Sequence, residues 1–334
     1  MRRMDVHDAS TTRAFWVSAP GRGELRAETL PVPGPGEASV RTLFSGVSRG
    51  TETLVFQGRV PASQAQRMRA PFQAGDFPAP VKYGYASVGE VAAGPAGLIG
   101  QLVFCLYPHQ ERYVVPCEAL CLLPPAVPPQ RAILAANLET ALNGVWDAGL
   151  APGDRISVIG AGSVGCLAAW LAGRVIGCEV ELIDINPERA AVARSLGVAF
   201  AAPDRARGEV DVVLHASGTQ AGLQLALSIA GFEATVLELS WYGDRAVSVP
   251  LGEAFHARRL SLKSSQVGSV APMRRARWST RRRLTLALSL LADPALDALV
   301  NSEATFEELP ASLSALALSP GNVIMHRVRY PPDR

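Results

Sequence analysis

Three glycines set between a strand-like run and a helical run constrain this chain more than any other feature. Asp154 to Ile159 closes on an apolar stretch, and Gly160, Gly162 and Gly165 follow at G-x-G-x-x-G spacing. The helix-compatible segment Cys166 to Val175 comes next, with Ser163 and Val164 inside the turn. The first glycine permits a tight turn, the second lets backbone approach a diphosphate, and the third allows close helix–strand packing. Free N–H groups and the dipole at the helix start favour an anion there. Glycine-rich turns also arise for packing alone, but here a second apolar strand, Val180 to Ile183, ends on Asp184, nineteen positions past Gly165. An acid at that tip binds both adenosine ribose hydroxyls and repels a 2′-phosphate, so NAD(H) is expected in preference to NADP(H). Ile185, Asn186 and Pro187 offer no arginine for that phosphate, although Arg189 is near.

The chain has 334 residues, a length that suggests two domains, and a net charge of +2. So balanced a charge gives no electrostatic case for nucleic acid or an anionic membrane. No run of 18 apolar residues occurs, and Met1 to Asp8 is polar with no apolar core behind it, so a cytoplasmic protein is expected. Cys105, Cys117, Cys121, Cys166 and Cys178 form no C-x-x-C pair, which argues for reduced, packed thiols. Thirty arginines stand against two lysines, Lys82 and Lys263, so a single arginine says little and a retained lysine slightly more.

Proline and glycine punctuate residues 14 to 44 every few positions, as in a small β-barrel of short strands. Further strands are expected at 81–91, 102–106 and 112–115, a boundary at Leu123 to Pro129, and a connecting helix from Arg131 to Asp147. Beyond Asp184, strands and helices alternate (helix 187–196, strand 210–215, helix 222–230, strand 234–239, strand 260–265), which implies a parallel doubly wound sheet. Trp278 to Leu291 is expected to be helical, and Val323 to Arg329 a closing strand that rejoins the barrel.

This order resembles the medium-chain dehydrogenases/reductases over nearly the whole chain. The landmarks are Ser45-Gly46-Val47-Ser48, Gly84-Tyr85-Ala86-Ser87-Val88-Gly89, the three-glycine turn and Ser264-Ser265-Gln266-Val267-Gly268. The resemblance implies an α/β protein: a GroES-like β-barrel substrate domain, residues 1–134 and 270–334, and a Rossmann dinucleotide-binding domain, residues 135–269. Ser48-Arg49-Gly50-Thr51-Glu52 is similar to a Ser-x-Gly-Thr-Glu run in bacteriochlorophyllide hydroxyethyl dehydrogenases. Against the zinc members of the superfamily, Ser48 stands where they have Cys, Tyr85-Ala86 where they have His-Glu, and Ala136 near a Cys or Glu. Serine, tyrosine and alanine cannot supply the ligands of catalytic zinc. Phe104 to Tyr113 holds one cysteine rather than the four of a structural zinc lobe. No zinc is expected.

Hydride chemistry without a metal needs a proton donor and an oxyanion stabiliser. Tyr85 is the first candidate, with Lys82 three residues earlier as a cation to lower its pKa; space-filling and a solvated surface lysine are the plain alternatives. Ser48 and Thr51 can donate to a substrate oxygen or cap a helix, and Glu52 can hold Arg49 or a backbone N–H. His109 can relay a proton or simply lie in water. Arg49 is placed by the resemblance at the cofactor diphosphate. His215, followed by Ala216-Ser217-Gly218, ends a parallel strand and is expected beside the cofactor, as are Ser217 and Ser265. Trp241-Tyr242 ends the next strand, and Glu139 is a remote candidate for an orienting acid. Six arginines, Arg274, Arg275, Arg277, Arg281, Arg282 and Arg283, either start a solvated helix or meet a substrate carboxylate or phosphate.

The expected activity is interconversion of a secondary alcohol and a ketone on a small-molecule substrate. Enone or quinone reduction, and dinucleotide binding without turnover, are the alternatives. A homodimer is expected by analogy with relatives that pair through their Rossmann sheets.

Overall fold

Strands β1 (Ser10–Ala19) and β2 (Arg22–Leu30) pair antiparallel across a two-residue Pro20–Gly21 turn, where Gly21 takes a φ of 74°. The structure is a computed structural model describing residues 10–319 and 321–331. Met1 to Asp8, on which the cytoplasmic expectation partly rests, lies outside the described residues. By contacts the described residues divide into two units: those up to 133, those between 302 and 321 and those from 326 on form one, residues 134–301 and 322–325 the other. The first continues through β3 (Glu37–Val47), α1 (Arg49–Phe56), β4 (Ala74–Gly75), β5 (Val81–Lys82), β6 (Ser87–Ala93), β7 (Leu102–Cys105), β8 (Arg112–Pro116), β9 (Cys121–Leu122) and α2 (Pro129–Ala132). Its four-stranded sheet runs β2-β1-β5-β4. The stretch 81–91, expected as one strand, is interrupted over residues 83–86, where Gly84 takes a φ of 134°, outside the β region of L-residues.

The second unit opens with α3 (Ala135–Ala148), which ends on a left-handed Gly149, and β10 (Arg155–Ile159). Then come α4 (Ser163–Ala172), β11 (Glu179–Ile183), α5 (Arg189–Leu196), β12 (Ala199–Ala201), β13 (Val210–His215), α6 (Gln220–Ile229), β14 (Ala230–Glu238), β15 (Ser261–Ser264) and α7 (Thr280–Leu290). The strands form one parallel six-stranded sheet in the order β12-β11-β10-β13-β14-β15. Register aligns Ile183, Ile159, His215, Glu238 and Ser264 in a row at its carboxyl edge. Val213, Val236, Leu223, Leu227 and Ile183 are buried between sheet and helices, each contributing about 1.5–3 kcal/mol.

The chain then passes through β16 (Val300–Thr305), α8 (Leu309–Leu318) and β17 (Met325–Arg329). These close a seven-stranded sheet, β16-β17-β3-β6-β7-β9 with β8 also on β3, so the C-terminal strand does join the barrel strands as expected. One boundary differs from the sequence reading. Residues 270–301 group with the parallel-sheet unit, not with the barrel. The reason is Arg283 on α7, fully buried, which donates to Glu139 and Asn143 on α3 and to the Val267 and Ser269 carbonyls. A guanidinium taken out of water needs every donor met, and α3 supplies the acceptors.

Candidate active site

The three-glycine turn sits where β10 leaves the sheet. Gly160 has a φ of 103°, and a Cβ there would lie 2.6 Å from the Ser217 backbone nitrogen. A Cβ at Gly165 would overlap the Gly160 carbonyl oxygen, so the helix start can pack this closely only without a side chain. Gly162 is the N-cap of α4, with Ser163, Val164 and Gly165 in its first turn. Ser163 Oγ donates to the Ile324 carbonyl at 2.6 Å, so this hydroxyl braces the turn. The first-turn N–H groups have no acceptor within their own helix.

Asp184 ends β11 beside that turn. Its Oδ2 accepts the Ala161 N–H at 2.7 Å and its Oδ1 the Asn186 N–H at 2.9 Å, which fixes the carboxylate while each oxygen keeps a further lone pair. Arg189, the residue that could have met a 2′-phosphate, is buried, and its Nη1 donates to the Asn322 carbonyl at 2.8 Å. Beneath the turn Cys166 is enclosed, and burial pushes its thiol up to about 12, so it is packing and not a nucleophile.

At the ends of β13 and β14 a second cluster forms. His215, wholly buried, faces Glu238 Oε2 through Nδ1 at 2.7 Å and Ser217 Oγ through Nε2 at 2.6 Å. Tyr242 Oη donates to the same carboxylate oxygen at 2.9 Å, and the Ser240 N–H donates to Glu238 Oε1 at 2.7 Å. Burial works to raise the Glu238 carboxyl, but the bond from His215, its charge and the Ser240 N–H outweigh it and hold the group below its usual range. Burial and the Glu238 charge raise the Tyr242 phenol. Glu238 was not singled out in the sequence, although its register with His215 across parallel neighbours is the signal that finds it. Ser265, expected at the cofactor, turns its hydroxyl to Asp147 on α3 at 2.6 Å.

The barrel unit gathers the other predicted side chains at the start of α1. Ser48 is the N-cap position, yet its side chain makes no capping bond; its N–H is taken by Glu52 Oε1 at 2.7 Å. Tyr85 is hydrogen-bonded to the side chains of Ser48 and Thr51, so three hydroxyls converge. Thr51, a helix cap in the plain reading, therefore has a different place. Arg49, expected at the diphosphate, is the first residue of α1 and only partly buried. Glu52 turns its second oxygen to His109 Nε2 at 2.8 Å, and His109 Nδ1 meets Ser45 Oγ at 2.7 Å. Ser45 Oγ in turn lies 3.0 Å from Tyr330 Oη. His109 is thus no solvated loop histidine: it is 1 % exposed and fully engaged.

Lys82 requires a correction. Its Nζ donates to Glu28 Oε2 at 2.7 Å and to Gln110 Oε1 at 2.8 Å, and it lies over the Trp16 ring. It is neither the cation expected to depress Tyr85 nor a solvated surface group. The Tyr85 phenol moves the opposite way: burial and the Glu52 carboxylate raise it, against weaker bonds from Ser48 and Thr51. Glu139 is corrected too, since it is spent on Arg283; burial raises its carboxyl despite that partner. Of the six clustered arginines, Arg283 is buried and the other five are exposed. Arg282 stacks on Trp278 at 3.9 Å and donates to the Arg277 carbonyl, and Arg274 lies over Trp146 at 5.6 Å.

Among the described residues no three His, Cys, Asp or Glu side chains come together in a way that holds a metal. Ser48, Tyr85 and Ala86 do not fit zinc, for they bring oxygen hydroxyls and a methyl where a tripod of soft or anionic ligands is needed.

Set beside known proteins, the chain is 24 % identical over 307 residues to D-guloside 3-dehydrogenase of Escherichia coli, covering 83 % of this chain and 87 % of that protein. It is 30 % identical over 196 residues to 2-desacetyl-2-hydroxyethyl bacteriochlorophyllide A dehydrogenase of Rhodobacter capsulatus, covering 53 % of this chain and 57 % of the relative. No family model matches the chain. Among solved structures, acetophenone reductase of Geotrichum candidum in complex with NAD superposes with a TM-score of 0.77 at 17 % identity, over 96 % of this chain and 98 % of the other. A Sinorhizobium meliloti protein bound to NADP and described as a zinc-binding dehydrogenase gives 0.75 at 18 % identity, over 96 % and 99 %. The fold is therefore that of the medium-chain dehydrogenases: a Rossmann unit of parallel sheet with helices, and a separate, mostly antiparallel unit. Proteins named as zinc-type alcohol dehydrogenase-like also stand among the relatives.

Proposed function

We propose that this chain is an oxidoreductase that uses NAD(H), without zinc, to interconvert a secondary alcohol and a ketone. The observation that carries the reading is the Gly160–Gly165 turn with Asp184 fixed beside it. The turn's N–H groups suit a diphosphate, and the carboxylate suits two ribose hydroxyls and opposes a 2′-phosphate. The engaged Arg189 supports the same preference, although one structural relative holds NADP. Relatives with dehydrogenase names support the reaction class.

When bound, the nicotinamide supplies or accepts the hydride. The chain's own part is the proton. Tyr85, its pKa raised, stays protonated at neutral pH and donates a hydrogen bond to a carbonyl oxygen, with Ser48 and Thr51 holding the hydroxyl in place. In the reverse direction Glu52 and His109 form the buried acceptor pair behind that cluster. A homodimer belongs to the same proposal: β15 is the outer strand of its sheet and all four of its residues are exposed, an edge that a second copy would cover.

Calorimetry with NADH and NADPH, then a panel of ketones and conjugated enones, tests this. Tight NADH binding with turnover at C–O is expected. Absence of binding by either coenzyme overturns the reading, and reduction at C=C instead of C–O replaces alcohol chemistry by enone reduction. One tightly held zinc per chain in elemental analysis would remove the metal-free part, and monomers in light scattering the dimer.

A further inference from the structure

Ser217, His215 and Glu238 are linked in the order that serine acyl transfer uses, hydroxyl to Nε2 at 2.6 Å and Nδ1 to carboxylate at 2.7 Å. We propose that Ser217 is an activated nucleophile and that the chain hydrolyses small acyl esters at this edge of the sheet, an activity separate from hydride transfer.

The surroundings fit the three roles. Glu238 faces Nδ1 of His215, so the neutral imidazole carries its proton there and leaves Nε2 to take the serine proton. The pair lies directly against the start of α6, where a Cβ at Gly222 would come within 2.6 Å of His215 Nε2 and would overlap Ser217 Oγ. Glycine is needed there for the pair to sit against α6. Whereas His215 is closed off, Ser217 is partly exposed and its neighbours Thr219, Gln220 and Ala221 are exposed, so an acyl group can reach the hydroxyl. Donors for a developing oxyanion lie alongside. Ser217 Oγ is 2.9 Å from Thr219 Oγ1, and Thr219 caps α6 through the Gly222 N–H. The N–H groups of Gln220 and Ala221, next in that first turn, have no acceptor within their own helix.

The step balances without any added oxidant or reductant. Ser217 Oγ bonds to the acyl carbon while its proton passes to His215 Nε2. The ester C–O bond breaks and the leaving alkoxide takes that proton. Water then attacks the acyl-serine, gives its proton to His215, and the carboxylic acid leaves as Ser217 recovers its hydrogen.

The test uses the full chain without added dinucleotide, p-nitrophenyl acetate as substrate and a fluorophosphonate as label. The label should map to Ser217 in the native protein, a measurement that needs no variant. Ser217→Ala and His215→Gln should each lower hydrolysis by at least about a hundredfold. Glu238→Gln should lower kcat and leave KM near its original value, which a merely structural acid would not do. Hydrolysis by Ser217→Ala within about twofold of the parent, or a label that bypasses Ser217, overturns the proposal. Labelling of Ser217 that excess NADH fails to block upholds the nucleophile and counts against the dinucleotide reading, so the two proposals can fail separately.

Discussion

Glu52 and His109 meet 2.8 Å apart on strictly buried ground, with 3 % and 1 % of their side chains exposed. Each is also tied elsewhere, Glu52 to the Ser48 N–H and His109 to Ser45. Removing one partner of such a pair leaves the other buried and unmatched, at a cost of about 3–5 kcal/mol. Glu52→Ala should therefore lower unfolding free energy by that amount in urea titration. A loss below about 1 kcal/mol, the range of a surface pair, would show the pair to be hydrated in solution.

Tyr85 touches Ser48 and Thr51 with a phenol that burial holds protonated. If it donates the proton in ketone reduction, Tyr85→Phe should slow turnover by about 10²–10⁴-fold. Its ring is kept and the cofactor turn is far along the sequence, so NADH affinity should hold within about twofold. Stopped-flow NADH oxidation with a turned-over ketone, alongside calorimetry, checks both. Equal losses in rate and affinity would mean that the substitution disturbs folding.

Asp184 is the one carboxylate fixed at the β11 tip, between the Ala161 and Asn186 N–H groups. Replacing it by Ser and its exposed neighbour Ile185 by Arg removes the repulsion and adds a phosphate partner. The ratio of NADPH to NADH affinity should rise by at least about tenfold, or 1.4 kcal/mol. An unchanged ratio would place the ribose elsewhere.

How far these residues could be read from the sequence follows from the range of the physics. The glycine turn and Asp184 are local: strand, turn, helix and strand tip are consecutive, so spacing alone locates them. The parallel sheet follows from alternating elements for the same reason. His109 and Glu52 are 57 positions apart, and nothing in either neighbourhood announces their pairing. Lys82 was misread because its partner, Glu28, lies 54 positions away on a strand that sequence punctuation had not marked. The 270–301 segment was given to the wrong unit because one buried arginine, Arg283, is indistinguishable in sequence from its five exposed neighbours. Only the α3 acceptors set it apart.

His326 on β17 carries a buried Nε2 with no hydrogen-bond partner, while its Nδ1 lies 2.9 Å from Ser302 Oγ. Burial lowers its pKa from 6.5, the nearby His109 adds to this, and Glu52, Glu303 and Glu308 oppose it more weakly. The folded chain therefore resists a proton that the unfolded chain accepts. Stability is then full above the unfolded value and falls as pH drops from about 6.5 toward the folded pKa, by no more than about 1.4 kcal/mol per pH unit for one proton. Urea unfolding between pH 7.5 and 5 should show this loss, and His326→Asn, which cannot titrate, should flatten it. If parent and variant lose stability in parallel, the imidazole is hydrated in solution and the acid sensitivity belongs to other groups.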